Sequence, residues 1–380
     1  MRVLMVLGRA AGGVGAHVDV LVAGLRGQGH HVEVVTADST AQTFGWTEAH
    51  RLWPLHDGVR APRGLVDWHR IMRLAGTVDV VHAHGHQAAV VAAVAVARAR
   101  PRPRLVVSLH NDLPPASSSA ARRAGAYAIR RLLRWSLGRA QLVTGASADL
   151  VGLAESLGPT RTELALVPSH AVADLLGSPP LGPTERATLL AGAGVATDRP
   201  LVLTVSRIAP QKDLATMVEA ARLSEAPATW VVVGGGDERL RARLEADADR
   251  IRPGEDGRAR VRFVGARTDV PDWLRAADVF VLTSRWEARA LVVQEAMAAG
   301  LPVVVTRTGG LPDLVGDAGS LVPVGDPSAV ARQVDHLLAD PAARRRKGAS
   351  ARALAAGWDT PEDETRRWVE RYAARTLGMT

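Results

Sequence analysis

Two glutamates eight residues apart, Glu287 and Glu295, bracket the start of an apolar helical pattern (Leu291, Val292, Met297) inside the stretch Ser284–Asp313. The first precedes the pattern and the second falls within it. That spacing aims one carboxylate and a set of free helix N-terminal amides into the same cleft. Unpaired amides at a helix start attract anions. Carboxylates close by accept hydrogen bonds from vicinal hydroxyls, as on a sugar or a ribose. A ligand with both a phosphate and several hydroxyls, such as a nucleotide-sugar, suits the combination.

A pair of cations complements it. Arg207 and Lys212 follow the apolar run Leu201–Val205, and Lys212 stands where the next helix begins. At the carboxyl end of a parallel strand they would form a diphosphate clamp and stabilise a departing nucleoside diphosphate. The duller alternative is a solvated surface pair. Lysine is scarce, however: Lys212 and Lys347 are the only two among 47 basic residues. This arginine bias reads as coding bias, which makes the high pI weak evidence for nucleic-acid binding.

Other patterns carry less. Gly12-Gly13-Val14-Gly15 after the first strand could let backbone approach a phosphate, or serve only a tight turn. The dinucleotide spacing G-x-G-x-x-G is absent, which weakens a nicotinamide-cofactor reading. Gly234-Gly235-Gly236 marks a sharp turn, with ligand approach and plain geometry equally open. Phe263–Ala266 ends another strand, where backbone could meet a nucleobase. His110 ends the run Leu105–Leu109 and would face the cleft, where its imidazole could bond a sugar hydroxyl, against a buried structural role. His82, His84 and His86 alternate, but no Asp or Cys partner has metal-ligand spacing, so no metal site is expected. Asp247 and Asp249 read as a solvated helix face. Arg122–Arg139 is a basic amphipathic stretch that could rest on an anionic membrane or bind an acidic acceptor; its plainer reading is a core-packing helix with arginines in water.

The elements that must hold these groups alternate between two types. Short, continuously apolar runs (Arg2–Leu7, His31–Thr36, Val78–His82, Leu105–Leu109, Leu142–Thr144, Leu164–Val167, then Leu201–Val205, Trp230–Val233, Val261–Val264, Val279–Leu282, Val303–Thr306, Ser320–Val322) suit parallel strands covered on both faces. Helical stretches lie between them. The pattern predicts an α/β protein of two doubly wound, Rossmann-like domains. A length of 380 residues agrees with two cores. The expected division is 1–176, a proline-rich linker at 177–198 in which Glu185–Ala193 could form a short helix, 199–358, and a final amphipathic helix at 359–380 carrying Trp368 and Tyr372.

Residues 1–184 carry 19 arginines against 12 acidic residues, whereas the remainder is nearly balanced at 28 against 27. No run approaches membrane-span length, no secretory leader is legible, and there is no cysteine. Cytoplasm is the expected compartment, with Arg122–Arg139 as a candidate contact with the inner membrane face.

The ordered blocks VSRIAPQKDL, VVVGGGDE, VRFVGARTDVPDWLRAADVFVLTSRWE and EAMAAGLPVVVTRTGGLPDLV, with the Glu287–Glu295 pair, give the chain a family likeness. It resembles the retaining nucleotide-sugar glycosyltransferases of GT-B architecture, family 4 or group 1. MVLGRAAGGVGAHV and DVVHAHG match more loosely. The resemblance implies two domains facing across a cleft, the final helix crossing back to the first, a UDP- or GDP-sugar donor, no cofactor and no bound metal. It implies Arg207 and Lys212 on the diphosphate with the amides near Leu291 and Val292, and Gly13 and Gly15 lining the cleft. Glu295 would bind the ribose, Glu287 the donor sugar, and His110 would lie near the transferred sugar. Ala266 belongs to the nucleobase side.

Three departures stand out. Ala288-Arg289-Ala290 replaces a common Phe-Gly, so Arg289 could read a charged donor sugar. Ser169-His170 replaces Asn-Gly, and Asp213 stands where glycine is common. The expected activity is retaining transfer to a hydroxyl acceptor: lipid-linked, cell-envelope glycan or small molecule. The alternatives are a nucleotide-sugar epimerase of the same plan and a non-catalytic binder; a dehydrogenase is more distant.

Overall fold

Apolar residues at every position of a strand force cover on both faces, and the chain meets that demand twice. The computed structural model describes residues 1–10, 12–54, 61–112, 120–159, 161–250 and 260–374; for 61–65, 120–125 and 260 it describes the backbone alone. The first unit comprises residues 1–167 and 359–380, and the second comprises 168–358.

In the first unit, β1 (Arg2–Leu7), β2 (His31–Val35), β3 (Val80–His84), β4 (Arg104–Leu109), β5 (Leu142–Gly145) and β6 (Thr162–Leu164) form one parallel sheet. Its order is β2-β1-β3-β4-β5-β6. The chain steps outward from β1 to β2, then returns to the other side of β1. The gap between β1 and β3 is therefore the topological switch point, where doubly wound sheets open a crevice at their carboxyl ends.

The second unit repeats the plan with β7 (Leu201–Val205), β8 (Thr229–Val233), β9 (Arg260–Phe263), β10 (Val279–Leu282), β11 (Val303–Thr306) and β12 (Ser320–Val322). The order β12-β11-β10-β7-β8-β9 puts its switch point between β7 and β10. Those two strands precede Arg207–Lys212 and Glu287 respectively.

Both sheets are sealed by helices. Val3, Met5 and Leu7 of β1 pack with Val18, Leu21 and Leu25 of the Gly13–Gly27 helix and with Trp368 and Tyr372 of the Pro361–Ala373 helix. Fully burying side chains of this size stabilises by about 1.5–3 kcal/mol each. In the second unit Trp230 anchors the layer facing the Leu214–Leu223 helix, and Trp273 and Phe280 anchor the opposite one.

Four sequence expectations shift. β3 runs two residues beyond the expected His82, which brings His84 into the strand. β6 is Thr162–Leu164 instead of Leu164–Val167. The unit boundary falls after Val167, not after residue 176. The expected linker 177–198 holds the Pro183–Gly192 helix, and Leu190 and Val195 are buried in the second core. Its prolines serve as a helix start and as turns, because the apolar residues between them need cover. The final helix ends at Ala373, and residues 375–380 lie outside the described residues.

Candidate functional site

The loop after β7 is built by backbone contact. A Cβ on Gly234 would lie 1.9 Å from Ser206 O, and one on Gly236 would lie 2.4 Å from Ile208 O. Ile208 N donates to Gly235 O at 2.8 Å. The glycine triplet is thus required by the neighbouring loop, which it holds so that Arg207 stands exposed beside β7. Ala266 is exposed next to this turn, 3.6 Å from where a Gly235 Cβ would sit.

A short 3-10 turn, Pro210–Lys212, then delivers Lys212. Asp213 follows with φ 46°, the only non-glycine residue in the left-handed region among the described residues. Asp tolerates that region better than most side chains. Here its carboxylate accepts from Thr216 Oγ1 at 3.0 Å and lies 3.4 Å from Arg285 Nε. The departure from glycine is accommodated by those partners.

Lys212 Nζ donates to Glu287 Oε1, and Ser284 Oγ donates to the same oxygen at 2.6 Å. Both members of the ion pair are largely buried, at 15% and 10% side-chain exposure. The backbone around Glu287 is fixed as firmly. Gln211 Nε2 donates to Trp286 O at 2.7 Å, and Gly310 N donates to Glu287 O at 2.9 Å. Gly309 has φ 52°, and a Cβ there would lie 2.0 Å from Glu287 O.

Glu287 leads into the Leu291–Ala298 helix, whose start at Ala290 has no side-chain cap. Leu291 and Val292 open it, partly exposed. One turn on, Glu295 accepts a 2.6 Å hydrogen bond from Ser169 Oγ, while Ser169 N donates to Gln294 Oε1 at 3.2 Å. Burial pushes the Glu295 carboxyl above its ordinary range, opposed by the Ser169 hydrogen bond and His170. Sequence reading noted Ser169 only as a departure; its partner lies 126 residues away. Arg289 sits with its guanidinium 5.6 Å from the Trp358 ring centroid. Asp247 pairs with Arg250 on an exposed helix face, as expected of a solvated stretch.

The first unit places a different chemistry at its switch point. Gly13 is exposed at the start of its helix; Gly15 is buried where a Cβ would come within 2.1 Å of the Phe44 ring. Packing alone therefore accounts for the glycine at 15. His110 is buried instead of facing open space. Its Nε2 lies 3.1 Å from His84 Nδ1, and its ring stacks on that of His84 at 5.3 Å. His17, from the first helix, completes the group, with Nδ1 3.4 Å from Glu364 Oε1. His82, two residues before His84 on β3, bonds Tyr372 Oη and Ser108 Oγ, each at 2.7 Å. Sequence reading missed His17 and Glu364 and noted Tyr372 only on an amphipathic helix, since no spacing links them.

Burial holds all four imidazoles neutral. It takes His110 down to about 4, helped by His86, and His17, His82 and His84 well below their ordinary value. It also lifts the Glu364 carboxyl to about 8, against the Trp368 hydrogen bond. His17, His84 and His110 are a group whose nitrogens, all within 4.8 Å of one another, could hold a metal ion. Among these three only His84 and His110 are hydrogen-bonded to each other, and His17 Nδ1 and His84 Nε2 are buried without a hydrogen-bond partner among the described residues.

Known proteins share both halves. The model for "Glycosyltransferase Family 4" matches residues 11–171, and that for "Glycosyl transferases group 1" matches residues 199–340. A D-inositol 3-phosphate glycosyltransferase of Xylanimonas cellulosilytica is 34% identical over 223 residues, 57% of this chain and 54% of that protein. The chain thus spans about half the length of the curated relatives it matches. Among solved structures, Anabaena Alr3699/HepE in complex with UDP-glucose superposes with a TM-score of 0.79 at 22% identity, covering 98% of this chain and 99% of that one. Sucrose-phosphate synthase of Thermosynechococcus elongatus gives 0.75 at 21%, covering 98% of both. At these identities the superpositions establish the fold, two parallel-sheet α/β domains of GT-B type. With both halves matched in order, the chain belongs to the family 4, group 1 glycosyltransferases.

Proposed function

We propose that the protein transfers a sugar from a nucleoside-diphosphate-sugar to a hydroxyl acceptor with retention of anomeric configuration. The observation that carries this reading is the Lys212–Glu287 pair, held at the carboxyl ends of β7 and β10, beside their switch point. Supporting it, the Anabaena protein of the same fold has been solved with UDP and with UDP-glucose.

In this mechanism Arg207, Lys212 and the uncapped amides at Leu291 and Val292 bind the diphosphate. Glu295 takes the ribose hydroxyls, and the backbone at Ala266 meets the base. Glu287 and Arg289 orient the donor sugar. The bond from the anomeric carbon to the diphosphate oxygen breaks. The acceptor oxygen bonds to that carbon on the same face, and its proton passes to the departing diphosphate. Cations that meet the developing negative charge lower the barrier. No step is assigned to a metal or a cofactor.

The test is donor turnover by wild type, Lys212→Ala and Glu295→Ala, with folding followed by circular dichroism. Both variants should lose transfer while keeping their secondary structure; wild-type turnover in both would overturn the assignment. A thermal-shift series with UDP, GDP and their sugars identifies the donor. A ligand held only by the native state adds ~2.7 kcal/mol at a hundredfold excess over its Kd.

A further inference from the structure

Outside both switch points, the Ala120–Leu137 helix and the turn at Ser156–Gly158 enclose a depression of ≈ 650 Å³. Arg130, Arg131, Arg134 and Arg139 converge on it, together with Tyr127 and Trp135. The side chains of Arg122 and Arg123, earlier on the same helix, lie outside the described residues.

Three of the four arginines contact uncharged groups. Arg139 lies over the Trp135 ring at 4.1 Å and donates to Trp135 O at 3.1 Å. Arg130 donates to Ser156 Oγ at 3.3 Å, and Arg131 lies 5.9 Å from the Tyr127 ring centroid. Among the described residues none of the four has a carboxylate within ion-pair distance. Elsewhere in this unit Arg161 and Arg371 share the carboxylate of Glu163. Unneutralised guanidinium groups around one hollow repel one another, and an anion relieves that repulsion.

We propose that this hollow binds a phosphate or diphosphate ester group. Guanidinium forks match phosphate oxygens two at a time, and several forks around one volume suit a diphosphate better than a lone carboxylate. Tyr127, Ile129 and Leu132 are exposed on the same helix, so the ester belongs either to a lipid headgroup or to a free phosphorylated solute. The inference is independent of the transfer reaction.

The test is site-resolved arginine modification of the full chain. Phenylglyoxal labelling is mapped by mass spectrometry, alone and with inorganic diphosphate, phosphatidylglycerol vesicles or phosphatidylcholine vesicles. Arg239 and Arg243, exposed on a helix of the second unit, serve as controls. The expected result is at least about tenfold slower labelling of Arg131 and Arg134 with diphosphate or phosphatidylglycerol, and unchanged controls. Protection by the anionic vesicles alone assigns a lipid headgroup; protection by diphosphate assigns the free anion. Unchanged labelling with both probes, equal protection by phosphatidylcholine, or equal protection of the controls overturns the proposal.

Discussion

Two switch points in one chain hold polar groups by opposite means. In the second unit, a lysine and a glutamate form a largely buried ion pair, and Ser284 supplies a further hydrogen bond to it. In the first unit, four histidines and a glutamate are buried at two strands and two helices, and burial drives them neutral. The contrast follows from desolvation: a buried charge persists only when paired and hydrogen-bonded, and otherwise the group changes protonation. One arrangement suits binding a charged ligand, the other suits a rigid, uncharged floor.

The sharpest way to break the contrast is at Gly309. Alanine there places a Cβ 2.0 Å from Glu287 O at a left-handed φ, so the loop must move. Gly309→Ala should cost about 3 kcal/mol or more in urea denaturation. A cost below 1 kcal/mol would show that the loop is not rigid.

Next comes the ion pair itself. Lys212→Met leaves Glu287 buried and unpaired and should cost about 3 kcal/mol, whereas Lys212→Met with Glu287→Gln should cost less than the single change. A double variant less stable than the single would mean that charge is not what the loop is built around. In the neutral cluster the matching change is smaller. Tyr372→Phe removes the partner of His82 Nδ1 and should cost about 1–3 kcal/mol.

Acidity separates the two regions without mutation. The unfolded chain takes up protons on its histidines near pH 6.5, while His110 in the folded unit resists until about 4. Histidine-linked stability is therefore present at neutral pH and lost as pH falls below about 6.5. Glu364 has the opposite sign: its folded value is raised to about 8, so its contribution is full below about 4.5 and lost as pH rises toward 8. Glu364→Gln should gain on wild type in thermal denaturation between those pH values; a flat difference would contradict the burial of that carboxyl. The smallest effect is expected at Asp213→Gly, within about 1 kcal/mol. Relief of the left-handed φ offsets loss of the Thr216 and Arg285 contacts.

Much of this was legible in the chain. The Leu201–Val205 strand falls where the apolar pattern placed it, and a helix begins just after Lys212 as expected, because period and burial are local properties. Lys212 and Glu287 were both singled out from their positions after strands, although not as each other's partner. Within the proline-rich stretch the short helix allowed for at Glu185–Ala193 is present, started by Pro183, whereas burial of Leu190 and Val195 in the second core was not legible. The Asp213 departure was visible as an anomaly, and its meaning needed the backbone angle.

The sequence alone determined two parallel α/β units, the strand ends that carry the candidate site, and the residue types available there. These depend on side-chain chemistry and short-range periodicity, which are written into consecutive residues. Strand order, the pairing of Lys212 with Glu287 and of Ser169 with Glu295, and the gathering of His17, His84, His110 and Glu364 were decided only by tertiary structure. Each joins residues far apart in the chain, and which of them meet depends on how whole sheets and helices pack, a collective choice that no single stretch of sequence encodes.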